Sequence, residues 1–395
     1  MKILALLYGT QLFGRERENI ECFKAFDQLG AKVEVFGSSR ELHGGDSGLL
    51  LEKLQFKVGE LPFGSHFALS YFRTIKGYWY KQIYRIFSCS WRMWRRERKT
   101  KPDYVFLGGT MEYLYVWPWL LFSNVKVIFR VEDQPAWDSR FHLFIWRRLV
   151  NRADLVVACS QFIAEDCKKL ISARNVGKVH VIGNCVPTFK GEGQLSEPPS
   201  QDSKNLKLVY IGQITINKGI EDLFDAMLTL KNDPVELKVV GGSPYTKSLE
   251  EELQRRIKDE GLNIEWIGRV ENPVKYYEWA DVHVAPSRYE EPFGLVVIEA
   301  KSSSVPSIVY PSGEMKNLIQ HGTDGWICEN KTLDSLVQEI RIANSRRMDL
   351  KRMGDAAQKD FLKNYTFEVF RESRVCLRLF ECHSHHRERR NNAWR

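Results

Sequence analysis

The sequence predicts an α/β protein built from two doubly wound, Rossmann-like domains that face each other across a cleft. Short Val- and Ile-rich runs alternate with amphipathic segments of about ten residues, the pattern of a parallel sheet covered by helices. The 395 residues leave room for two or three cores at roughly 150 residues each. A polar stretch containing Gly191, Gly193, Pro198 and Pro199 separates two such alternating halves.

In the first half, strands are expected near 2–8, 32–37, 104–107, 125–130, 154–158 and 178–182. The opening run from Met1 to Gly9 has one basic residue, is too short for a secretory segment and lacks a small-x-small cleavage site, so it reads as the first strand. The apolar stretch from Tyr113 to Phe122 contains Pro118 and is half the length of about 20 residues that a spanning helix needs. No transmembrane segment is therefore expected. In the second half, strands are expected at 207–211, 236–240, 264–267, 282–285, 307–310 and 325–328. Helices fall between them near 219–230, 248–260, 273–280 and 294–303, with another after Thr332. The domains are read as 1–187, a linker at 188–205, and 206–362. A helix and basic tail at 363–395 then pack back on the first domain.

A net charge of +8 with 27% charged residues is ordinary for a globular chain and excludes a disordered or collagenous one. The positive charge is local. Residues 73–101 hold ten cations against Glu97 alone, interleaved with Tyr78, Trp79, Tyr80, Tyr84, Phe87, Trp91 and Trp94. That mixture suits a surface helix on anionic lipid. It also suits a solvated helix whose rings pack on the first domain. Nucleic acid is the weaker partner, because no nucleic-acid fold signature accompanies the segment. Eight cysteines without a C-x-x-C pair read as reduced thiols of a cytosolic protein. Cys382-His383-Ser384-His385-His386 could ligate a metal, but it sits in a polar tail and is read as part of that tail. The expected location is cytoplasmic, with a peripheral contact at the inner membrane face.

Two segments carry chemistry. The strand Leu208-Val209-Tyr210-Ile211 ends at Gly212, and Gln213 to Gly219 leads into a helix with apolar residues at Ile220, Leu223, Phe224, Met227 and Leu228. Lys218 thus stands at a helix N-terminus, where the macrodipole disfavours a cation unless an anion binds there too. A solvated surface lysine is the alternative. In the second segment a buried strand ends at Ala285, a turn carries Pro292 and Gly294, and a helix starts near Leu295. This turn opens at the carboxyl edge of the sheet, where open α/β domains bind ligands. Glu291 and Glu299 can accept from adjacent hydroxyls of a sugar or ribose, and the amides of Phe293, Gly294 and Leu295 can face a phosphate. Alternatively, Glu291 caps the helix and Glu299 is an exposed acid.

Together, Gly212-x5-Lys218-Gly219 and Glu291-x7-Glu299 within Glu-Pro-Phe-Gly-Leu resemble the donor half of the GT-B glycosyltransferases of family 4, also described as glycosyl transferases group 1. The resemblance covers most of 206–345 and is weaker before Asn184. It implies a retaining, hexosyl-type transferase that uses a nucleotide-diphosphate-sugar, with a glycan or lipid-linked acceptor in polysaccharide or glycoconjugate biosynthesis. It implies no cofactor and no metal. Lys218 would hold the diphosphate, Glu299 the ribose, and Glu291 the transferred sugar. Gly212, Gln213, Arg288 and the Phe293-Gly294-Leu295 amides would complete the nucleotide-sugar site. Gly313-Glu314 is loosely similar to the family's Gly-x-x-Glu region. Gly14-Arg15-Glu16 is similar to its acceptor-side loop, and Val181-Ile182-Gly183-Asn184 to its hinge.

Two positions depart from the family pattern. Gln213 replaces the usual Arg after the strand glycine, which leaves phosphate charge to Lys218 with help from Arg288. Glu132 replaces the His of a His-Asp pair and is the third residue, with Lys218 and Glu291, assigned to catalysis. These departures keep two alternatives open: a nucleotide-sugar epimerase or hydrolase of GT-B fold, and a non-catalytic nucleotide-sugar-binding scaffold.

Overall fold

The computed structural model describes residues 1–8, 14–38, 46–63, 78–135, 137, 139–188, 204–243 and 247–373. The chain divides into two compact units, one of Met1–Asn184 together with the chain from Phe370 onward, the other of Cys185–Val369. Residues 73–77, most of the 188–205 linker, and the tail with Cys382 to His386 lie outside the described residues.

The first unit runs β1 (Lys2–Leu6), α1 (Gly14–Gln28), β2 (Lys32–Gly37), α2 (Asp46–Lys53), β3 (Lys57–Glu60), α3 (Tyr78–Thr100), β4 (Tyr104–Leu107), α4 (Thr110–Phe122), β5 (Lys126–Val131), α5 (Arg140–Arg152), β6 (Leu155–Ala158), α6 (Gln161–Leu170) and β7 (Val179–Val181). All seven strands pair in parallel in the order β3-β2-β1-β4-β5-β6-β7. Parallel strands need both faces covered, and β1, β4 and β5 are accordingly near-continuous apolar runs with almost every residue buried. The order reverses between β1 and β4. Right-handed crossovers then put α1 and α2 on one face and α3 to α6 on the other. Serines start two of these helices: Ser160 Oγ accepts from the Ile163 amide at 3.1 Å and Ser139 Oγ from that of His142.

Strand β3 is absent from the sequence-based expectations because it is a short edge strand, Lys-Val-Gly-Glu, with no fully buried residue. Pro118 lies inside α4. Among the described residues no helix is long and apolar enough to cross a membrane.

The second unit runs β8 (Leu206–Ile211), α7 (Ile220–Thr229), β9 (Val235–Val240), α8 (Ser248–Asp259), β10 (Ile264–Gly268), α9 (Val274–Trp279), β11 (Val282–Ala285), α10 (Leu295–Ser302), β12 (Ser307–Val309), β13 (Gly325–Ile327), α11 (Leu333–Ser345) and α12 (Leu350–Asn364). Its six parallel strands are ordered β10-β9-β8-β11-β12-β13, and this order reverses between β8 and β11. Ile220, Leu223, Phe224 and Met227 of α7 join Leu208, Leu237 and Trp326 in the core. Leu228, read as part of the same stripe, points to solvent instead. A buried cation braces the far side: Lys301 Nζ donates to Asp324 at 2.7 Å and Asp360 at 2.6 Å.

The last described helix, α13 (Phe367–Arg371), carries the chain back to the first unit. There the Phe370 ring centroid lies 5.6 Å from the Arg130 guanidinium, and Arg371 donates to Gln28 Oε1 at 3.1 Å. Six cysteines are described, and all are buried.

Candidate functional site

In an open α/β sheet the ligand crevice lies at the carboxyl ends of the strands where strand order reverses. In the second unit those strands are β8 and β11. The loops that follow them are 212–219 and 286–294, the two segments singled out from the sequence.

These loops interlock. The Asn217 carbonyl accepts from the amides of Arg288 and Tyr289, both at 3.0 Å. Gly219 has φ +71°, and a Cβ there would stand 1.8 Å from the Pro286 carbonyl oxygen, so only glycine allows the approach. The loop after β12 closes the other side. Gly313 has φ +49°, a Cβ there would lie 2.2 Å from the Glu291 carbonyl oxygen, and the Glu314 amide donates to that oxygen at 2.9 Å.

The lock brings together the two residues with the strongest assignments. Lys218, in one turn of 3-10 helix just before Gly219, places Nζ 2.6 Å from Glu291 Oε1. Ser287 Oγ donates to the same oxygen at 2.7 Å. Glu291 is buried and Lys218 half-buried, so this ion pair is held in one geometry rather than dissolved in solvent. Burial, with Glu291 beside it, pushes the Tyr210 phenol well up, and its hydroxyl donates to the Gln213 carbonyl at 2.7 Å. Gly212 continues β8, its amide donating to the Val240 carbonyl at 3.0 Å.

The other expected residues are placed as follows. Gly294, at φ +112°, precedes α10 without any side-chain cap; its carbonyl accepts from the Val297 amide at 3.0 Å, and the amides of Leu295 and Val296 lack intrahelical partners. Phe293 is buried with its ring edge-on to Tyr365 at 6.2 Å. Glu299 is buried and accepts from the Tyr277 hydroxyl at 3.2 Å; it is not the exposed acid of the alternative reading. Arg288 turns away from Lys218, forming a bidentate pair with Asp222, which also accepts from Tyr310 Oη at 3.2 Å. That pair engages Nε and Nη2 and leaves Nη1 outside it.

In the first unit, Gly14 is the first residue of α1. Glu132 follows β5 and is buried, with Oε1 on Arg130 and Oε2 accepting from Asn184 Nδ2 at 2.9 Å. Asn184 Oδ1 in turn accepts from Arg130. The carboxylate thus arrives already engaged, with only its remaining lone pairs free to accept.

Sequence reading missed Ser287, Asp222, Asn217 and Tyr277, which position the named residues. It also missed Glu112, in the first turn of α4 at the first unit's own reversal point. The available signal was Gly108-Gly109 ahead of an acid at a helix start. Glu112 Oε1 accepts from the Tyr8 amide at 3.1 Å, and Arg15 donates to the Tyr8 carbonyl at 3.0 Å. Burial pushes the Glu112 carboxyl up to about 7, against the pull of Arg15. Above the usual 4.5 the unfolded chain has released a proton that the folded one keeps up to about 7, so stability falls as pH rises through that window. Urea unfolding from pH 5 to 8 is expected to show wild type losing up to about 3 kcal/mol relative to Glu112→Gln. Parallel pH curves for the two proteins would remove this assignment.

Known proteins share this architecture. The family model described as Glycosyltransferase Family 4 matches residues 16–189, and that described as Glycosyl transferases group 1 matches 193–360. An uncharacterized glycosyltransferase of Methanocaldococcus jannaschii is 28% identical over 277 residues, 67% of this chain and 69% of that one. The alpha-maltose-1-phosphate synthase of Mycolicibacterium smegmatis is 25% identical over 255 residues, 60% of this chain and 65% of that one. Among solved structures, Anabaena HepE in complex with UDP superposes with a TM-score of 0.77 at 18% identity, covering 97% of this chain and 100% of that chain. Sucrose-phosphate synthase of Thermosynechococcus elongatus gives 0.74 at 17%, covering 96% and 99%.

Two parallel-sheet Rossmann-like units with these neighbours define the GT-B class of glycosyltransferase folds. Within it, the chain belongs to the family 4 type, the glycosyl transferases group 1.

Proposed function

We propose that this chain is a retaining, metal-independent transferase. It moves a hexosyl-type sugar from a nucleotide diphosphate to a glycan or lipid-linked acceptor in polysaccharide or glycoconjugate assembly. The observation that carries this reading is the Lys218–Glu291 pair at 2.6 Å, fixed where the second sheet reverses order. The fold-level likeness to HepE, whose structures hold UDP and UDP-glucose, supports a nucleotide-sugar donor.

As the anomeric C–O bond breaks, the diphosphate gains negative charge, and preorganised donors aimed at it contribute most to rate. Lys218 and the first-turn amides of α10 fill that role. Glu291 accepts from hydroxyls of the transferred sugar and Glu299 from the ribose. For retention, the acceptor hydroxyl attacks the face the leaving group departs from, and its proton goes to the departing phosphate oxygen. No protein base is consumed. An acceptor carried on lipid would bring the enzyme to the membrane, with α3 turned to anionic headgroups.

The test is incubation with a panel of nucleotide sugars, with and without glycan and lipid-linked acceptors, reading nucleoside diphosphate release and the anomeric configuration of the product. Acceptor-dependent release with a retained anomer is expected. Release or isomerisation at the same rate without acceptor would replace this reading with a hydrolase or epimerase.

A further inference from the structure

The three helices α3, α4 and α5 lie on the same face of the first sheet and pack side by side. Together they hold eleven cations and two acids. Neither acid faces outward. Glu97 accepts from Trp119 Nε1 at 2.6 Å and Ser123 Oγ at 2.7 Å, and Glu112 is buried at the sheet edge. Arg96 and Arg152 pair with Glu34 and Asp154 of neighbouring elements, and the remaining cations leave the outer surface of the three helices positive, with no exposed carboxylate of their own.

The same surface exposes large apolar groups. Trp79, Ile83, Phe87 and Trp91 project at four-residue spacing along α3; of the rings read from the sequence, Tyr78 is buried, whereas Trp79, Tyr80, Tyr84, Phe87 and Trp91 are exposed. Helix α4 adds Leu121 at 61% and Phe122 at 88% exposure, values that leave both side chains with little protein contact. Between α4 and α5 runs a groove of about 490 Å³, lined by Tyr113, Trp117, Leu121, Phe144, Arg147 and Arg148 among others. Arg147 and Arg148 are exposed and, among the described residues, have no ion-pair partner; Arg148 lies 5.1 Å from the centroid of the Phe144 ring. Nothing in the sequence reading pointed to this second strip.

We propose that this groove seats the phosphate of an anionic phospholipid, and that α4 and α5 extend the α3 surface into one bilayer-docking face. Unpaired guanidinium groups suit a phosphodiester, and the adjacent Leu121, Phe122 and Phe144 gain by entering the headgroup–acyl boundary. Nucleic acid would satisfy the cations but offers Leu121 and Phe122 no apolar phase. The inference rests on the membrane reading of α3 and adds a second, separable element to it.

The test is cosedimentation of the full chain with vesicles of 30% phosphatidylglycerol in phosphatidylcholine, against pure phosphatidylcholine. Wild type is expected to bind the anionic vesicles. Arg147→Ala/Arg148→Ala is expected to weaken that binding about 30-fold, at about fivefold per arginine near the surface. Arg255→Ala/Lys258→Ala, which removes the same charge from the second unit, is expected to leave binding unchanged, as is transfer to a water-soluble acceptor by the groove variant. If Lys81→Ala/Arg85→Ala loses binding while the groove variant retains it, α3 alone docks and the groove inference fails. If wild type ignores anionic vesicles, or binds a single-stranded RNA oligomer more tightly at the same salt, both membrane readings fail. Equal weakening by the second-unit variant would reduce the groove to general charge and overturn its assignment.

Discussion

Lys218→Ala is expected to lower kcat by about 10²- to 10³-fold, the range seen when one preorganised donor to a developing oxyanion is removed. The loss should fall on kcat because the ammonium opposes charge that grows only as the sugar leaves the diphosphate. Lys218 is half-buried and bonded to Glu291. Truncation leaves that carboxylate its 2.7 Å bond from Ser287, so folding should change little. Steady-state kinetics with a fixed donor, beside a thermal melt, makes the comparison. A raised KM with unchanged kcat would mean that Lys218 binds ground state and transition state alike, and its catalytic role would be withdrawn.

The second large effect is expected at the partner. Glu291→Gln keeps the shape of a buried side chain and an oxygen for Ser287, but it removes the charge that faces Lys218 and that, in the proposed function, accepts from the sugar hydroxyls. A hydrogen bond to a charged group contributes about 1.5–3 kcal/mol, so kcat/KM should fall about 10- to 100-fold. The two substitutions share one contact and should not be additive. A double variant no worse than Lys218→Ala alone would show that Glu291 acts through the lysine. A further drop equal to its own single effect would show that it acts on the sugar independently.

Much of the architecture could be read from the chain because parallel strands advertise themselves. β8, β9 and β11 are runs in which Val, Ile and Leu meet helices on both faces, and their observed ends fall within a residue of those expected. Strand β3 was illegible for the opposite reason: at the edge of the sheet, Lys57 and Glu60 face solvent and nothing marks the pairing with β2. Lys218 and Glu291 were legible because each stands at the turn after a strand that flanks the reversal. Their supports were not. Ser287 and Asn217 meet across 70 residues and Tyr310 reaches Asp222 across 88, and no periodicity reports such contacts. Arg288 shows the limit most clearly. Its position beside the motif suggested a phosphate ligand, whereas Asp222, in the first turn of α7, holds it through Nε and Nη2.

The return of the chain at Phe370 has a consequence for biosynthesis. A ribosome delivers residues 1–184 first, yet the aromatic lid over Arg130 and the arginine that meets Gln28 emerge only after the whole of the other unit has been made. The earlier-born half must wait for its last piece, holding a guanidinium whose ring is still to come. Messages truncated shortly before codon 370 would therefore yield products flawed in the half they encode in full, an uncommon case where a late stop damages the beginning.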